Sequence, residues 1–136
     1  MNKVRVLLAD DQEEILARVR TVLDKDFEVV GAVRNGREAV TVVCRLHPEV
    51  VVMDISVPIL NGLEAVFELG SNPRAKIVFL TLYEDHDFIE AAFSAGASAY
   101  VVKSDLLNLP STIREVLAGG TYISPSILPR NREGDL

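Results

Sequence analysis

Five polar side chains sit where apolar runs break off. Asp10 and Asp11 follow Val4–Ala9, Asp54 follows Val50–Met53, Thr81 follows Ile77–Leu80, and Lys103 follows Ala99–Val102. Three carboxylates drawn into one crevice repel: unit charges about 4 Å apart at an effective dielectric near 20 interact by roughly 4 kcal/mol. A proton, a lysine or a metal must offset that. With no His or Cys adjoining these positions, an all-oxygen donor set selects a hard cation, Mg²⁺ ahead of Zn²⁺. Mg²⁺ takes one or two carboxylates, keeps waters and bridges to a substrate phosphate. A carboxylate beside it can act as a nucleophile and form an aspartyl-phosphate. An ammonium and a hydroxyl, Lys103 and Thr81, then serve as donors to the phosphoryl oxygens.

Each residue also has a plainer reading. Asp10-Asp11 before a helical stripe is a normal N-cap, Asp54 ahead of Pro58 and Gly62 is normal turn chemistry, Thr81 is a cap, and Lys103 is a solvated charge. Singly, the plainer readings win. Jointly, they leave unexplained why all these positions close buried-type strands on one edge.

The elements that must position them are legible. The runs Val4–Ala9, Glu28–Val33, Val50–Met53, Ile77–Leu80 and Ala99–Val102 are rich in Val, Ile and Leu and hardly alternate, as strands buried on both faces do. Between them lie helical stripes: Ile15, Leu16, Val19, Val22 and Leu23; Ala39, Val40, Val43 and Leu46; Leu63, Val66 and Phe67, stopped by Asn72-Pro73; Phe88, Ala92 and Ala95, closed by Gly96; and Ile113, Val116 and Leu117, closed by Gly119-Gly120. Strict alternation predicts a doubly wound five-stranded parallel sheet with helices on both faces. In such sheets ligands bind outside the carboxyl ends of the strands. The tail 121–136, with Pro125, Pro129 and Gly134, reads as a linker or frayed terminus after a domain of residues 1–120.

Composition narrows the function. The 136 residues fit one domain, and 49% apolar with 25% charged residues argues against disorder. A net charge of −6 argues against direct DNA binding by this chain. The lone Cys44 excludes an internal disulfide and reads as a small buried hydrophobe. No run approaches a membrane span, and the start, Met1-Asn2-Lys3-Val4, goes straight into a strand pattern, so no signal peptide is expected. A cytoplasmic protein with no membrane partner is expected.

The segments Val6-Leu7-Leu8-Ala9-Asp10-Asp11, Val52-Met53-Asp54-Ile55-Ser56-Val57-Pro58 with Asn61-Gly62, Phe79-Leu80-Thr81, and Gly96-Ala97-Ser98-Ala99-Tyr100-Val101-Val102-Lys103 together resemble the receiver domains of two-component response regulators over residues 3 to 120. The resemblance implies the flavodoxin-like strand order 2-1-3-4-5, which comes from the family and not from the residues. It implies Asp54 as phosphoacceptor and Asp11 as a direct Mg²⁺ ligand. Asp10 would be a ligand through water and the Ser56 carbonyl the third protein ligand. Lys103 would be the partner of phosphate and carboxylate, and Thr81 with Tyr100 the switch pair. The plainer reading of Tyr100 is a half-buried strand aromatic. The ending Thr112-Ile113-Arg114-Glu115-Val116-Leu117-Ala118-Gly119-Gly120-Thr121-Tyr122-Ile123-Ser124-Pro125 is similar to the NarL/FixJ type, in which a linker and a helix-turn-helix domain usually follow.

On that resemblance the chain is a phosphorylation-activated signalling switch rather than a turnover enzyme. It would take a phosphoryl group from a sensor histidine kinase and act on transcription through an output domain or partner. DNA would be reached only through a C-terminal domain, and a homodimer is a further option. In the switch, Thr81 moves toward the phosphoryl group and Tyr100 turns inward. The chain departs from the family pattern at Ser104, where many receivers have proline, and at Leu82, where the residue is usually small. A bulky Leu82 is expected to narrow access to Asp54. Two rivals from other classes fit less well. A haloacid-dehalogenase-type phosphatase needs a second carboxylate two residues after Asp54, where Ser56 stands. A flavodoxin-like cofactor binder needs a phosphate-cradling loop, and here Asp10-Asp11-Gln12-Glu13-Glu14 would repel a phosphate unless a metal intervened. A stand-alone or phosphorylation-independent receiver acting as a protein-binding module is the alternative within the family.

Overall fold

The computed structural model describes residues 2–70 and 75–127. Strands β1 (Val4–Ala9), β2 (Phe27–Val33), β3 (Val50–Met53), β4 (Lys76–Thr81) and β5 (Ala99–Val102) alternate with helices α1 (Glu13–Leu23), α2 (Gly36–Leu46), α3 (Gly62–Leu69), α4 (His86–Ala95) and α5 (Leu109–Leu117). All pair in parallel in the order β2-β1-β3-β4-β5-β6, where β6 is Tyr122–Ile123. The order expected for the first five strands is the one observed. β3 and β5 are buried at every position, which is why their sequences do not alternate.

Two apolar layers flank the sheet. One gathers Val6, Leu8, Val52, Leu80 and Val101 against Val19 and Leu23 of α1 and Ile113 and Val116 of α5. The other gathers Leu7, Met53, Phe79 and Tyr100 against Val43 of α2, Val66 of α3 and Ala92 of α4.

The sixth strand corrects the reading of 121–136 as a linker with no fold element. Tyr122 pairs with Ala99 and Ile123 with Tyr100, and Ile127 is buried in the second layer. Two residues are too few to show a period, so the sequence pattern could not announce them. Residues 128–136 and the Asn72-Pro73 stop lie outside the described residues.

Two side chains face the other way from expectation. Cys44 is exposed, because the core side of α2 is set by Gly36, Ala39 and Val43 and position 44 lies about 100° round from Val43. Phe67 is 78% exposed, because α3 buries Gly62, Ala65, Val66 and Leu69, an i, i+3, i+4, i+7 face turned away from the stripe drawn through Leu63, Val66 and Phe67.

Candidate functional site

The site lies at the carboxyl edge of β1, β3, β4 and β5, and the order of the sheet makes it. β1 lies between β2 and β3 while its chain crosses to the opposite side for the later strands, so the loops after β1 and β3 diverge and leave a crevice. Asp10 is placed by its amide donating to the Val33 carbonyl at 3.0 Å, and Asp54 by its amide donating to Ala9 at 3.0 Å. The turn after Asp54 is held by Gly62, whose amide donates to Ile55 at 2.8 Å. A Cβ at position 62 would lie 2.5 Å from the Asp54 carbonyl oxygen, so only glycine lets α3 start this close to the aspartate. Asn61 and Glu64 form a reciprocal capping box there. In the same turn Ile59 has φ of 71° while Leu60 donates to Pro58 at 2.8 Å, a strained γ-turn.

Three of the expected residues converge. Lys103 Nζ lies 2.9 Å from Asp54 Oδ2 and 3.0 Å from Asp10 Oδ2, and all three side chains are buried. Two carboxylates against one ammonium leave a formal negative charge uncompensated within this trio. Burial raises the Asp10 carboxyl above its ordinary value, with the Asp54 charge adding to the rise and the Gln12 amide and Lys103 opposing it. Burial pulls Lys103 down, yet its hydrogen bonds to Asp54 and Asp10 outweigh that and hold it above the ordinary lysine value.

The remaining expected residues are placed differently. Ser56, whose carbonyl was the expected contributor, brings its hydroxyl to Asp54 Oδ2 at 3.2 Å and its amide to Oδ1 at 3.3 Å. Asp11 is exposed at the rim. Leu82 is 69% exposed, its bulk turned to solvent. Thr81 is fully buried and its hydroxyl accepts from the Tyr83 amide at 3.4 Å. Tyr100 is fully buried, deeper than a half-buried strand aromatic, and its ring is already inward, where a turn inward was expected on phosphorylation. Its hydroxyl donates to the Tyr83 carbonyl at 2.9 Å, and burial first, then the charges of Asp85 and Asp54, push its ionisation well up.

Two residues were missed. Gln12 Oε1 accepts from Lys103 at 3.0 Å, and Tyr83 joins both members of the expected switch pair. Gln12 follows Asp10-Asp11 directly, and a polar side chain at the mouth of the crevice was the available signal. Tyr83 contributes main-chain atoms, for which sequence carries no signal.

The donor set suits a hard cation: oxygen atoms only, with surplus negative charge. Among the described residues no three His, Cys, Asp or Glu side chains are gathered to hold a metal by themselves. That is compatible with Mg²⁺, which binds through one or two carboxylates and fills its shell with water and carbonyl oxygens. A separate groove of about 690 Å³ runs between α3 and α4, lined by Leu60, Leu63, Phe67, Ala91 and Ala95 with Glu64 and Glu68. It has no convergent charged trio, so the chemistry belongs to the crevice.

A parallel sheet in this order with a lysine bridging two strand-end aspartates defines a class of signalling domain. Residues 6–114 match the model described as "Response regulator receiver domain", and the chain belongs to that family. It is 32% identical over 93% of its length to the transcriptional regulatory protein DegU of Brevibacillus brevis, and 38% identical over 91% to the response regulator GacA of Pseudomonas viridiflava. It spans 55% and 60% of those two proteins. Among solved structures, a LuxR-family two-component response regulator from Aurantimonas superposes with a TM-score of 0.86 at 32% identity, covering 93% of each chain. The isolated receiver domain of RcsB from Salmonella enterica, at 21% identity and a TM-score of 0.83, shares the fold, with 93% of this chain and 96% of that one covered. The relatives are LuxR/NarL-type response regulators, the branch to which the chain's ending is similar.

Proposed function

We propose that this chain is a phosphorylation-controlled switch that accepts a phosphoryl group on Asp54. The observation that carries the reading is the buried bridge from Lys103 to Asp54 and Asp10. A carboxylate oxygen of Asp54 attacks the phosphorus of a phosphohistidine on a sensor kinase. The O–P bond forms, the P–N bond breaks, and the departing imidazole takes up a proton. Lys103 stays within reach of Asp54 and donates to the charge that arrives. Asp11, Asp54 and the Ser56 carbonyl would hold Mg²⁺, with Asp10 behind a water. When bound, Mg²⁺ neutralises phosphoryl oxygens.

The signal leaves through Tyr83. The Thr81 hydroxyl, turning to a phosphoryl oxygen, releases the Tyr83 amide. The Tyr83 carbonyl is tied to Tyr100, and its ring stacks on Phe88 at 4.7 Å. The β4–α4 loop therefore moves as a unit, and with it the surface offered to an output domain, a partner or a second copy. The expected role is regulatory and cytoplasmic, acting on transcription through a further domain; the curated relatives are transcriptional regulators. Among the described residues no helix is long and apolar enough to cross a membrane.

Incubation with acetyl phosphate and Mg²⁺, read by intact mass, should give one phosphoryl adduct that Asp54→Asn abolishes. An adduct that persists in Asp54→Asn refutes the assignment.

A further inference from the structure

Lys103 has a long, flexible stem, yet three acceptors depend on where its tip lies: Asp54, Asp10 and Gln12. Its main chain is bracketed. On one side the Val102 amide donates to Ser124 Oγ at 3.0 Å. On the other, Asp105 Oδ2 accepts from Ser124 Oγ at 2.7 Å and from Tyr122 Oη at 2.7 Å, and Asn108 donates to Oδ1. Ser124 is itself fixed: it is fully buried and its amide donates to the Tyr100 carbonyl at 3.0 Å. One hydroxyl thus joins the residue before Lys103 to the residue two after it. Tyr122 and Ser124 lie beyond residues 6–114, the span that matches the receiver-domain model.

We propose that Ser124, acting with Asp105, is a positioning residue for Lys103, so that the segment after α5 belongs to the phosphorylation machinery. This rests on the reading of Asp54 as phosphoacceptor. Removing the Ser124 hydroxyl strands the Val102 amide and takes a donor from Asp105, leaving the lysine backbone free to shift by fractions of an ångström. Such misplacement costs rate without loss of any reacting group.

The test compares wild type, Ser124→Ala, Ser124→Thr and Lys103→Ala, alone and combined, after melting curves show each is folded. Two readings are taken. The first is the NMR signal of the Lys103 ammonium, which needs no phosphorylation. It should shift or broaden in Ser124→Ala and recover toward wild type in Ser124→Thr, which keeps a hydroxyl. The second is the rate of labelling by acetyl phosphate with Mg²⁺. It should fall about tenfold in Ser124→Ala, the scale of one lost buried hydrogen bond, with no further fall when Ser124→Ala is added to Lys103→Ala. An unmoved Lys103 signal in Ser124→Ala overturns the proposal, as does an equal loss of rate in the two backgrounds, which would mark general destabilisation. Failure of wild type to take any phosphoryl group would instead sink the functional reading, with the Lys103 signal still deciding whether Ser124 places the lysine.

Discussion

At Lys103 the chain buries two carboxylates around one ammonium. At Asp105, two residues on, it holds a single half-buried carboxylate with the hydroxyls of Tyr122 and Ser124 and the amide of Asn108. The first cluster leaves charge uncompensated, and Asp10 is raised. In the second, burial tends to raise Asp105, but the hydrogen bonds of Tyr122, Ser124 and Asn108 outweigh it and lower the carboxyl. On the proposed function the first site has another charged group to accept, and its electrostatics are left unfinished. A structural clamp satisfies its acceptor with neutral donors and needs nothing more.

The strongest way to break this contrast is Lys103→Met. It strips the only cation from the trio and leaves two buried carboxylates facing each other, which should cost about 3–5 kcal/mol of stability at neutral pH. Urea unfolding should show the loss, and Mg²⁺ should restore part of it by binding the folded state. A loss under about 1 kcal/mol would mean that the trio is not electrostatically coupled as drawn.

Acid titration separates the clusters by sign. Asp10 has a raised folded value, so its ionisation opposes folding. That cost is full above the folded value and disappears as pH falls toward the ordinary 3.8. Asp105 has a lowered folded value, so its contribution is full above 3.8 and is lost as pH falls below it through the folded value. On acidification, stability should therefore gain from the first cluster above 3.8 and lose from the second below it. Asp10→Asn should flatten the gain and Asp105→Asn the loss, each on the order of 1 kcal/mol. Slopes of the same sign in the two variants would erase the distinction.

The smallest effect is spectroscopic. Burial first, and the bond to Asp105 next, push the Tyr122 hydroxyl up to about 12. In Asp105→Asn, an NMR titration of the Tyr122 ring should move part of the way back toward 10.0. An unchanged midpoint would show that burial alone sets it.

What the sequence revealed, and what it hid, follows the same division. β1, β3 and β5 are dominated by Val, Leu and Ala, broken only by Arg5, Met53 and Tyr100, and each is followed directly by Asp or Lys, so both the sheet and the trio could be read from residue type and position. The clamp could not. Asp105, Tyr122 and Ser124 are common residues 17 and 19 positions apart, joined only because β6 returns beside β5. Phe67 and Cys44 were misplaced for a related reason: the faces that α2 and α3 turn to the sheet are set largely by small residues, Gly36 and Ala39 in one and Gly62 and Ala65 in the other, which carry little apolar signal beside a Phe or a Cys.

β6 has one more consequence, for colloidal behaviour. The sheet has two borders. At one, β2 is irregular: Val6 pairs with Val29 but Leu7 with Gly31, so Val30 is left over as a bulge. At the other, Ala99-Tyr100-Val101-Val102 is an uncharged, fully buried strand that β6 covers with only two residues, Tyr122 and Ile123. Kinked or very short borders make poor templates for a strand from another molecule. The cover over β5 and the clamp on Lys103 are one piece of chain. Loosening it would expose an apolar strand of the kind that seeds intermolecular pairing, so in this domain a slackened lysine and a stickier surface come together.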